Sequence, residues 1–180
     1  IDFEFLDENG QPYKSSGGEM VESELGEIPR GWEVKPFSEV IDVNPNRKLI
    51  KGESATKISM SDLNCWQSWI EKWTEQEYKS GPKFKNGDVL FARITPSLEN
   101  GKTAYVNCLS ENEVGFGSTE FIVFGQKIIN SSPYIFCLAR NNYVRETAIN
   151  EMTGTSGRQR VPNHCFNNIL ICVPPEHLLD

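Results

Sequence analysis

The chain has 180 residues and a formal net charge of -7, a length that allows one hydrophobic core and predicts a single domain. Its longest apolar runs are far shorter than the roughly 20 residues that a membrane-spanning helix requires, which argues against a membrane protein. With 38% hydrophobic residues, the composition excludes a disordered chain and predicts a soluble, folded one.

The cysteine pattern indicates the cellular compartment. Five cysteines are widely spaced and contain no C-x-x-C pair, which favours reduced thiols in the cytoplasm over a disulfide framework. His164 and Cys165 are adjacent, but the only other histidine is His177, and metal sites need closely spaced ligand sets. We therefore expect Cys165 to be a buried structural cysteine and predict no metal site.

Residues 1–28 differ in composition from the rest of the chain. They contain eight acidic residues and one lysine, so that the remaining residues carry equal numbers of acids and bases. Glycine, proline and the S-S-G-G run at 15–18 interrupt this segment, which predicts an acidic arm or linker with little core of its own. We place the domain at 29–180 and, because the chain begins with isoleucine, expect a fragment of a longer protein.

The next patterns predict strands and one helix. The stretch WEVKPF at 32–37 suggests a strand, and PFSEVIDV suggests a short helix or turn. Alternating and apolar-rich segments predict four further strands at 55–60, 88–94, 103–108 and 118–124, with turns at 86–87, 100–101 and 115–117. Trp66, Trp69 and Trp73 recur at i, i+3 and i+7 and predict a helix. Its tryptophan face could stack bases, but such a face more often belongs to the core or to a protein interface.

A longer helix is predicted near the end of the chain. Ser132 suits the N-cap, Pro133 suits the first helical position, and apolar residues recur at helical spacing up to Met152. The helix should end at Thr153 and Gly154, and 166–173 should form a final strand.

The motifs of common enzymes are missing from the sequence. Neither a G-x-x-x-x-G-K-[ST] phosphate loop nor a G-x-S-x-G nucleophile motif occurs. The S-S-P-Y run at 131–134 superficially resembles the S-P-P-Y tetrapeptide of adenine methyltransferases, but it lacks the second proline and is better explained as a helix start. A catalytic role is therefore not indicated.

Two polar segments are candidates for contact with nucleic acid. In 153–160, arginine can bind guanine edges, glutamine can bind adenine edges, and hydroxyl groups can bind phosphates, while glycine allows close approach. Extended geometry there would direct Arg158 and Arg160 to one side and Gln159 to the other. The alternative, a solvated loop whose arginines form local salt bridges, is equally open. In 93–102 a similar set of polar residues also fits an ordinary exposed hairpin.

Five stretches resemble a known family. They are ENGQPYKSSGGEM at 8–20, GEIPRGWEV at 26–34, GDVLFARITPSLENGKTAYV at 87–106, GSTEFIVF at 117–124 and INEMTGTSGRQRVPNHCFNNILICVPP at 149–175. The chain resembles a target recognition domain of the DNA-specificity (S) subunit of type I restriction-modification systems. By its acidic arm it resembles the second, C-terminal domain of such a subunit, ending before a long conserved helix.

This resemblance implies a mixed α/β (α+β) fold with a curved mixed sheet and a few helices. It further implies a non-catalytic domain that reads one half of a bipartite double-stranded DNA target and directs adenine methylation and restriction. The methylation (M) and restriction (R) subunits are the expected partners and would use S-adenosylmethionine, ATP and Mg; this chain is expected to need no cofactor. A protein-docking module and a fragment of an adenine methyltransferase are the alternatives.

The resemblance also carries over candidate site residues by position. The 153–160 string recurs in relatives with different targets, so it is expected to bind DNA backbone, whereas 57–73 could supply sequence choice. The DNA-binding candidates are Arg93, Thr95, Ser97, Lys102, Ser118, Thr119, Thr153, Thr155, Ser156, Gly157, Arg158, Gln159 and Arg160.

Overall fold

The computed structural model describes residues 2–65 and 67–179. The strands are β1 (Met20–Ser23), β2 (Gly26–Pro29), β3 (Glu33–Pro36), β4 (Ile41–Val43), β5 (Ser54–Ile58), β6 (Thr74–Glu77), β7 (Lys83–Phe84), β8 (Val89–Ala92), β9 (Thr103–Tyr105), β10 (Gly115–Gly117), β11 (Phe121–Gln126) and β12 (Leu170–Val173). The helices are α1 (Phe37–Val40), α2 (Ser132–Arg140) and α3 (Asn142–Asn150), with short 3-10 helices at Met60–Asp62, Asn163–Asn167 and Glu176–Leu178.

The strands of the described residues form four sheets. Two have four strands, in the orders β6-β5-β10-β7 and β4-β11-β8-β9, and two are the pairs β1-β2 and β12-β3. Strand β10 runs parallel to β5, and the other pairings are antiparallel. The mixed α/β fold class is therefore confirmed, with the strands divided among several sheets.

The central strands β8 and β11 are buried on both faces. Phe91 and Phe124 face α1 and the 3-10 helix 163–167. The Phe124 ring lies 4.8 Å from that of Phe37 and 4.9 Å from that of Phe166, and the Phe91 ring lies 5.8 Å from that of Phe166. Alternate residues of the same strands belong to a second apolar cluster, which includes Ile58 of β5 and Phe84 of β7. Successive side chains of a strand point to opposite faces, so the helices and the sheet that contains β5 cover the two sides of the central sheet.

The predicted long helix is two helices. Asn141 lies between α2 and α3 in an extended conformation, and its side-chain oxygen accepts a hydrogen bond from the Tyr143 amide at 2.9 Å. Both helices bury apolar residues in one cluster, which explains why the helical spacing continues across the break. The first helix begins one residue earlier than predicted, because Ser131, not Ser132, accepts the capping hydrogen bond from Tyr134.

The predicted tryptophan helix is wrong. Within residues 67–73 the structure has no helix, and the chain continues into β6, which pairs with β5 from Thr74 to Glu77. Trp69 and Trp73 are 50% and 44% exposed, so their helical spacing does not reflect a buried face; Trp66 lies outside the described residues. Backbone pairing with β5 decides the conformation here.

The predicted turn at 115–117 is also wrong, because these residues form β10. A Cβ atom on Gly115 would lie 2.6 Å from the Phe84 ring, and one on Gly117 would lie 2.8 Å from the Phe121 ring. Both distances are shorter than packed carbon atoms allow. The glycines are therefore required by close packing, of Gly115 against its cross-strand neighbour Phe84 and of Gly117 against Phe121 of the central sheet, and do not mark a turn.

The N-terminal segment packs against the β12-β3 pair. Phe3 and Ile28 are buried together with Cys172 of β12, and Trp32 covers this small cluster. The rings of Phe3 and Trp32 meet edge to face at a centroid distance of 5.4 Å. Part of residues 2–28 is therefore attached to the domain by apolar contacts.

No helix within residues 2–65 or 67–179 combines the length and apolar character needed to cross a membrane.

Candidate nucleic-acid interface

The structure brings together three polar segments, the two that the residue types indicated and the one that contains the candidates Ser118 and Thr119. We refer to them as the 93–102, 117–119 and 153–160 loops. The first follows β8, the second precedes β11, and the third follows α3. Antiparallel pairing of β8 with β11 places the end of one strand beside the start of the other, so loops that are distant in sequence become neighbours.

Backbone hydrogen bonds join these loops into one surface. The Arg93 amide donates to the Glu120 carbonyl at 2.9 Å, and the Val161 amide donates to the Arg93 carbonyl at 2.9 Å. The Thr95 amide donates to the Gln159 carbonyl at 3.1 Å. The 93–102 loop is thus bonded on one side to the 153–160 loop and on the other to Glu120, the residue that follows the 117–119 loop.

Arg160 is held by an acidic residue that the sequence did not indicate. Its Nε donates to Oε2 of Glu120 at 2.8 Å, and its Nη2 donates to Oε1 at 2.7 Å. The hydrogen bonds from Arg160 lower the pKa of Glu120, against a smaller opposing effect of burial. The local salt bridge therefore forms at Arg160, whose side chain remains 46% exposed.

Arg158 is placed differently. It is exposed, and within the described part of the chain no hydrogen bond or ion pair involves its guanidinium group. Its backbone amide donates to the Thr155 carbonyl at 2.9 Å and closes a tight turn. Gly154 has a φ of +125°, a conformation that favours glycine, and Gly157 is open to solvent. The turn leaves the Arg158 side chain free to bind an external anion.

Arg93 fastens the loops from within. Its Nη1 donates to Oδ1 of Asn163 at 3.0 Å and its Nη2 donates to the Val161 carbonyl. Burial lowers the pKa of Arg93, and its Nε is buried without a partner among the described residues. Arg93 therefore anchors the segment that directly follows the 153–160 loop, and only part of its guanidinium reaches the surface.

Lys102 has a similar anchoring contact at the other end of its loop. Its Nζ donates to the Met60 carbonyl at 2.7 Å, which ties the 93–102 loop to the segment after β5. Between these anchors, the Thr95 hydroxyl donates to Glu99 at 2.8 Å. Arg145 of α3 donates to the Glu99 carbonyl at 3.1 Å. The 93–102 loop is therefore held in place by contacts with the segment after β5 and with α3.

The remaining candidates differ in exposure. Ser118 and Ser97 are half-buried, and the Ser118 hydroxyl accepts a hydrogen bond from the Glu120 amide at 3.2 Å. Gln159 is half-buried, while its arginine neighbours are exposed, in agreement with the alternation expected from the sequence. The exposed small residues of these loops are Thr119, Thr153, Thr155, Ser156 and Gly157.

A cleft beside the 117–119 loop combines Lys57 of the 57–73 segment with residues that the sequence did not single out. It has a volume of about 580 Å³ and is lined by residues that include Lys57, Gln76 and Lys79. Lys57 Nζ donates to Oε1 of Gln76 at 3.0 Å. The 57–73 segment was predicted to vary with the target, but Gln76 and Lys79 lie beyond it, and only the pairing of β5 with β6 brings them to this cleft.

The cysteines and potential metal ligands are arranged as follows. Cys165 is 2% exposed, and burial raises the pKa of its thiol to about 11, so the prediction of a buried structural cysteine is confirmed. All five cysteines are free thiols. Across residues 2–65 and 67–179, no group of three or more histidine, cysteine, aspartate or glutamate side chains could hold a metal ion.

Comparison with curated proteins finds specificity subunits. The chain is 31% identical over 157 residues to the specificity subunit of the type I restriction enzyme EcoAI, and 32% identical over 160 residues to that of EcoEI, both of Escherichia coli. Each match covers 83% of this chain and 26% of the relative. The chain thus spans about a quarter of the length of these curated relatives.

Solved structures share the fold. The HsdS subunit from Thermoanaerobacter tengcongensis matches with a TM-score of 0.67 and 20% identity, over 87% of this chain and 41% of that one. A chain from a structure of complex assembly and conformational transition of the type I R-M system matches with a TM-score of 0.64 and 22% identity, over 82% and 39%. The family described as "Type I restriction modification DNA specificity domain" matches residues 29–177. The chain therefore belongs to the type I restriction-modification DNA specificity domains.

Proposed function

We propose that this specificity domain reads one half of a bipartite double-stranded DNA target and thereby directs adenine methylation and restriction by partner subunits. The observation that carries the proposal is the convergence of the 93–102, 117–119 and 153–160 loops on one surface, with Arg158 unpaired there among the described residues. Phosphate contacts from such loops set the position of a protein on DNA.

The loops have separate roles in this proposal. Arg158 and the exposed hydroxyl groups of the 153–160 loop bind phosphate oxygens, while Arg93 and Lys102 hold the loops in position. Arg160 remains half-exposed beside Glu120 and completes the basic side of the surface. Because phosphate contacts carry no direct sequence information, base recognition requires further residues.

In this proposal, DNA methylation and cleavage are carried out by other subunits. The methylation and restriction subunits are the proposed partners, and they would use S-adenosylmethionine, ATP and Mg. The domain itself is proposed to be non-catalytic, without a cofactor of its own, and to act in the cytoplasm, where the DNA and these subunits meet. The lack of a phosphate-loop or nucleophile motif in the sequence supports this division.

A domain exchange tests the proposal. Residues 29–177 would replace the matching segment of the EcoAI specificity subunit, the chimera would be co-expressed with the EcoAI methylation subunits, and methylated adenines would be mapped by native sequencing. We expect one half of the methylated motif to change while the other half stays the same. A chimera that assembles and methylates the original EcoAI motif would contradict the proposal.

Protein docking is a second candidate function. The observation that favours it is the exposure of Trp69 and Trp73, since exposed tryptophans are common at protein interfaces. Substitution of both by serine in the chimera would separate the two functions. If the complex assembles poorly but the remaining methylation still occurs at the same motif, the docking function is favoured. Normal assembly would count against it.

A further inference from the structure

The cleft beside the 117–119 loop has one polar face of a sheet as its floor. Strands β5 and β6 supply Lys57 and Gln76, the 117–119 loop supplies Ser118 and Thr119, and Lys79 lies at the rim with Glu77. This cleft adjoins the loop surface directly, because Glu120, which holds Arg160, follows Thr119 in the chain. A duplex bound to the loop surface would therefore lie across the cleft.

The two faces of the β5-β6 pair carry opposite charge. Lys57 and Gln76 are on the cleft face, whereas Thr56 and Glu75 are on the opposite face, as strand alternation requires. On that face the Thr56 hydroxyl lies 3.1 Å from Glu75 and 2.6 Å from Glu113. The hydrogen bond from Thr56 lowers the pKa of Glu113 and so favours its charged form. The cleft itself is lined by Lys57 and Lys79 against one acid, Glu77, so a polyanion would be repelled by the opposite face and attracted to the cleft.

The cleft face presents an ordered row of hydrogen-bonding groups. Lys57 Nζ donates to Oε1 of Gln76 at 3.0 Å, and Nε2 of Gln76 donates to the Thr74 hydroxyl at 3.3 Å. These bonds fix the orientation of the amide. They leave Lys57 with further N–H donors, and leave Gln76 with one lone pair on Oε1 and one N–H on Nε2. Lysine pairs with guanine O6 and N7, and glutamine with adenine N6 and N7, in the major groove.

The walls of the cleft are held by backbone contacts. The Ser118 amide donates to the Ile58 carbonyl at 3.1 Å, and the Gly117 amide donates to the Pro82 carbonyl at 3.0 Å. Gly81 lies so close to Gly117 that a Cβ atom would overlap the Gly117 carbonyl oxygen. A site whose walls are already in place loses less conformational entropy on binding than a flexible one.

We propose that Lys57 and Gln76 read purine edges in the major groove of the half-site, while the 153–160 loop binds the adjacent phosphates. The inference rests on the proposed function and adds to it the residues that recognise bases. The phosphate-binding loops do not distinguish base sequences, and this inference assigns that role to the β5-β6 face.

The test uses the chimeric specificity subunit with its methylation partners. Gln76→Glu keeps the size of an exposed side chain and replaces the amide by a carboxylate, which accepts from cytosine N4. We expect methylation of the motif that the unsubstituted chimera recognises to fall on the order of tenfold or more, and one position of that motif to change from adenine toward cytosine. Lys57→Met should relax a single guanine position. Glu75→Gln, on the opposite face, is the matched control and should leave the motif unchanged.

The outcomes separate the inference from the proposed function. If the unsubstituted chimera gains a new half-motif and both cleft variants retain it, the base-reading role is overturned and the proposed function stands. If Lys57→Met instead weakens binding to all sequences equally and lowers the salt slope by about one unit, Lys57 binds phosphate and its base-reading role is overturned. If the unsubstituted chimera keeps the original motif, the proposed function fails as well. Thermal unfolding of each purified chimera verifies that the variants are folded.

Discussion

The carboxylate of Glu120 accepts two hydrogen bonds from the guanidinium of Arg160, at 2.8 Å from Nε and 2.7 Å from Nη2. The pair connects the start of β11 with the 153–160 loop. Arg160 lowers the pKa of Glu120 in the folded state, and a lowered folded pKa means that protonation opposes folding. The stabilisation is therefore present above the unfolded-state pKa of glutamate, about 4.3, and is lost as the pH falls through the lower folded value.

This relationship predicts pH-dependent coupling between the two residues. A double-mutant cycle with Glu120→Gln and Arg160→Met should give a favourable coupling free energy at pH 7 that declines as the pH is lowered below about 4. Urea unfolding at a series of pH values would measure it. A coupling that stays constant down to pH 3 would contradict the assignment of the lowered pKa to this pair.

Removal of Arg158, whose side chain has no partner among residues 2–65 and 67–179, should reduce DNA affinity without changing the motif. In the chimeric complex, Arg158→Ala is expected to lower the slope of log K against log salt by about 0.9, the value for one phosphate contact. Lys127→Ala removes the same charge at the far end of β11 and should leave the slope unchanged. Equal slopes for wild type and Arg158→Ala in a filter-binding titration would rule out the phosphate contact.

The aromatic cluster under the central sheet should dominate stability. Phe166 is fully buried, with ring centroids 5.2 Å from Phe37 and 4.9 Å from Phe124. Phe166→Ala is expected to lower the free energy of unfolding by about 3–5 kcal/mol. Ile128, which is 62% exposed, is the control, and Ile128→Ala should change it by less than about 0.5 kcal/mol. Similar urea midpoints for both variants would show that the cluster is not the core.

The close approach of Gly81 to Gly117 can be separated from backbone strain. Gly81 and Gly52 both have positive φ, +118° and +98°, but only Gly81 has a neighbour that a Cβ atom would strike. Gly52→Ala should therefore lower the free energy of unfolding by about 1–3 kcal/mol through backbone strain alone. Gly81→Ala should lower it clearly more. Thermal unfolding of both variants gives the comparison, and equal losses would mean that the contact at Gly117 relaxes freely.

Short-range patterns were sufficient to predict several elements. The apolar runs of β8 and β11 and the serine and proline at the start of α2 were recognised in the sequence because strand alternation and helix capping depend on near neighbours. The tryptophan spacing at 66–73 was misleading because it, too, is only a local pattern. A helical period can arise by chance, and the pairing of β6 with β5 is a contact that a local pattern does not contain.

The sequence by itself determined the family, the mixed fold class and the residue types of the polar loops, because these are properties of short ordered strings. Only the tertiary structure decided that Arg160 pairs with Glu120 and leaves Arg158 unpaired among the described residues, and that Lys57 meets Gln76 at one cleft. Residues 19 or 40 positions apart become neighbours through strand register and sheet packing. Those long-range contacts set which charges are neutralised locally and which remain exposed to bind the proposed DNA target.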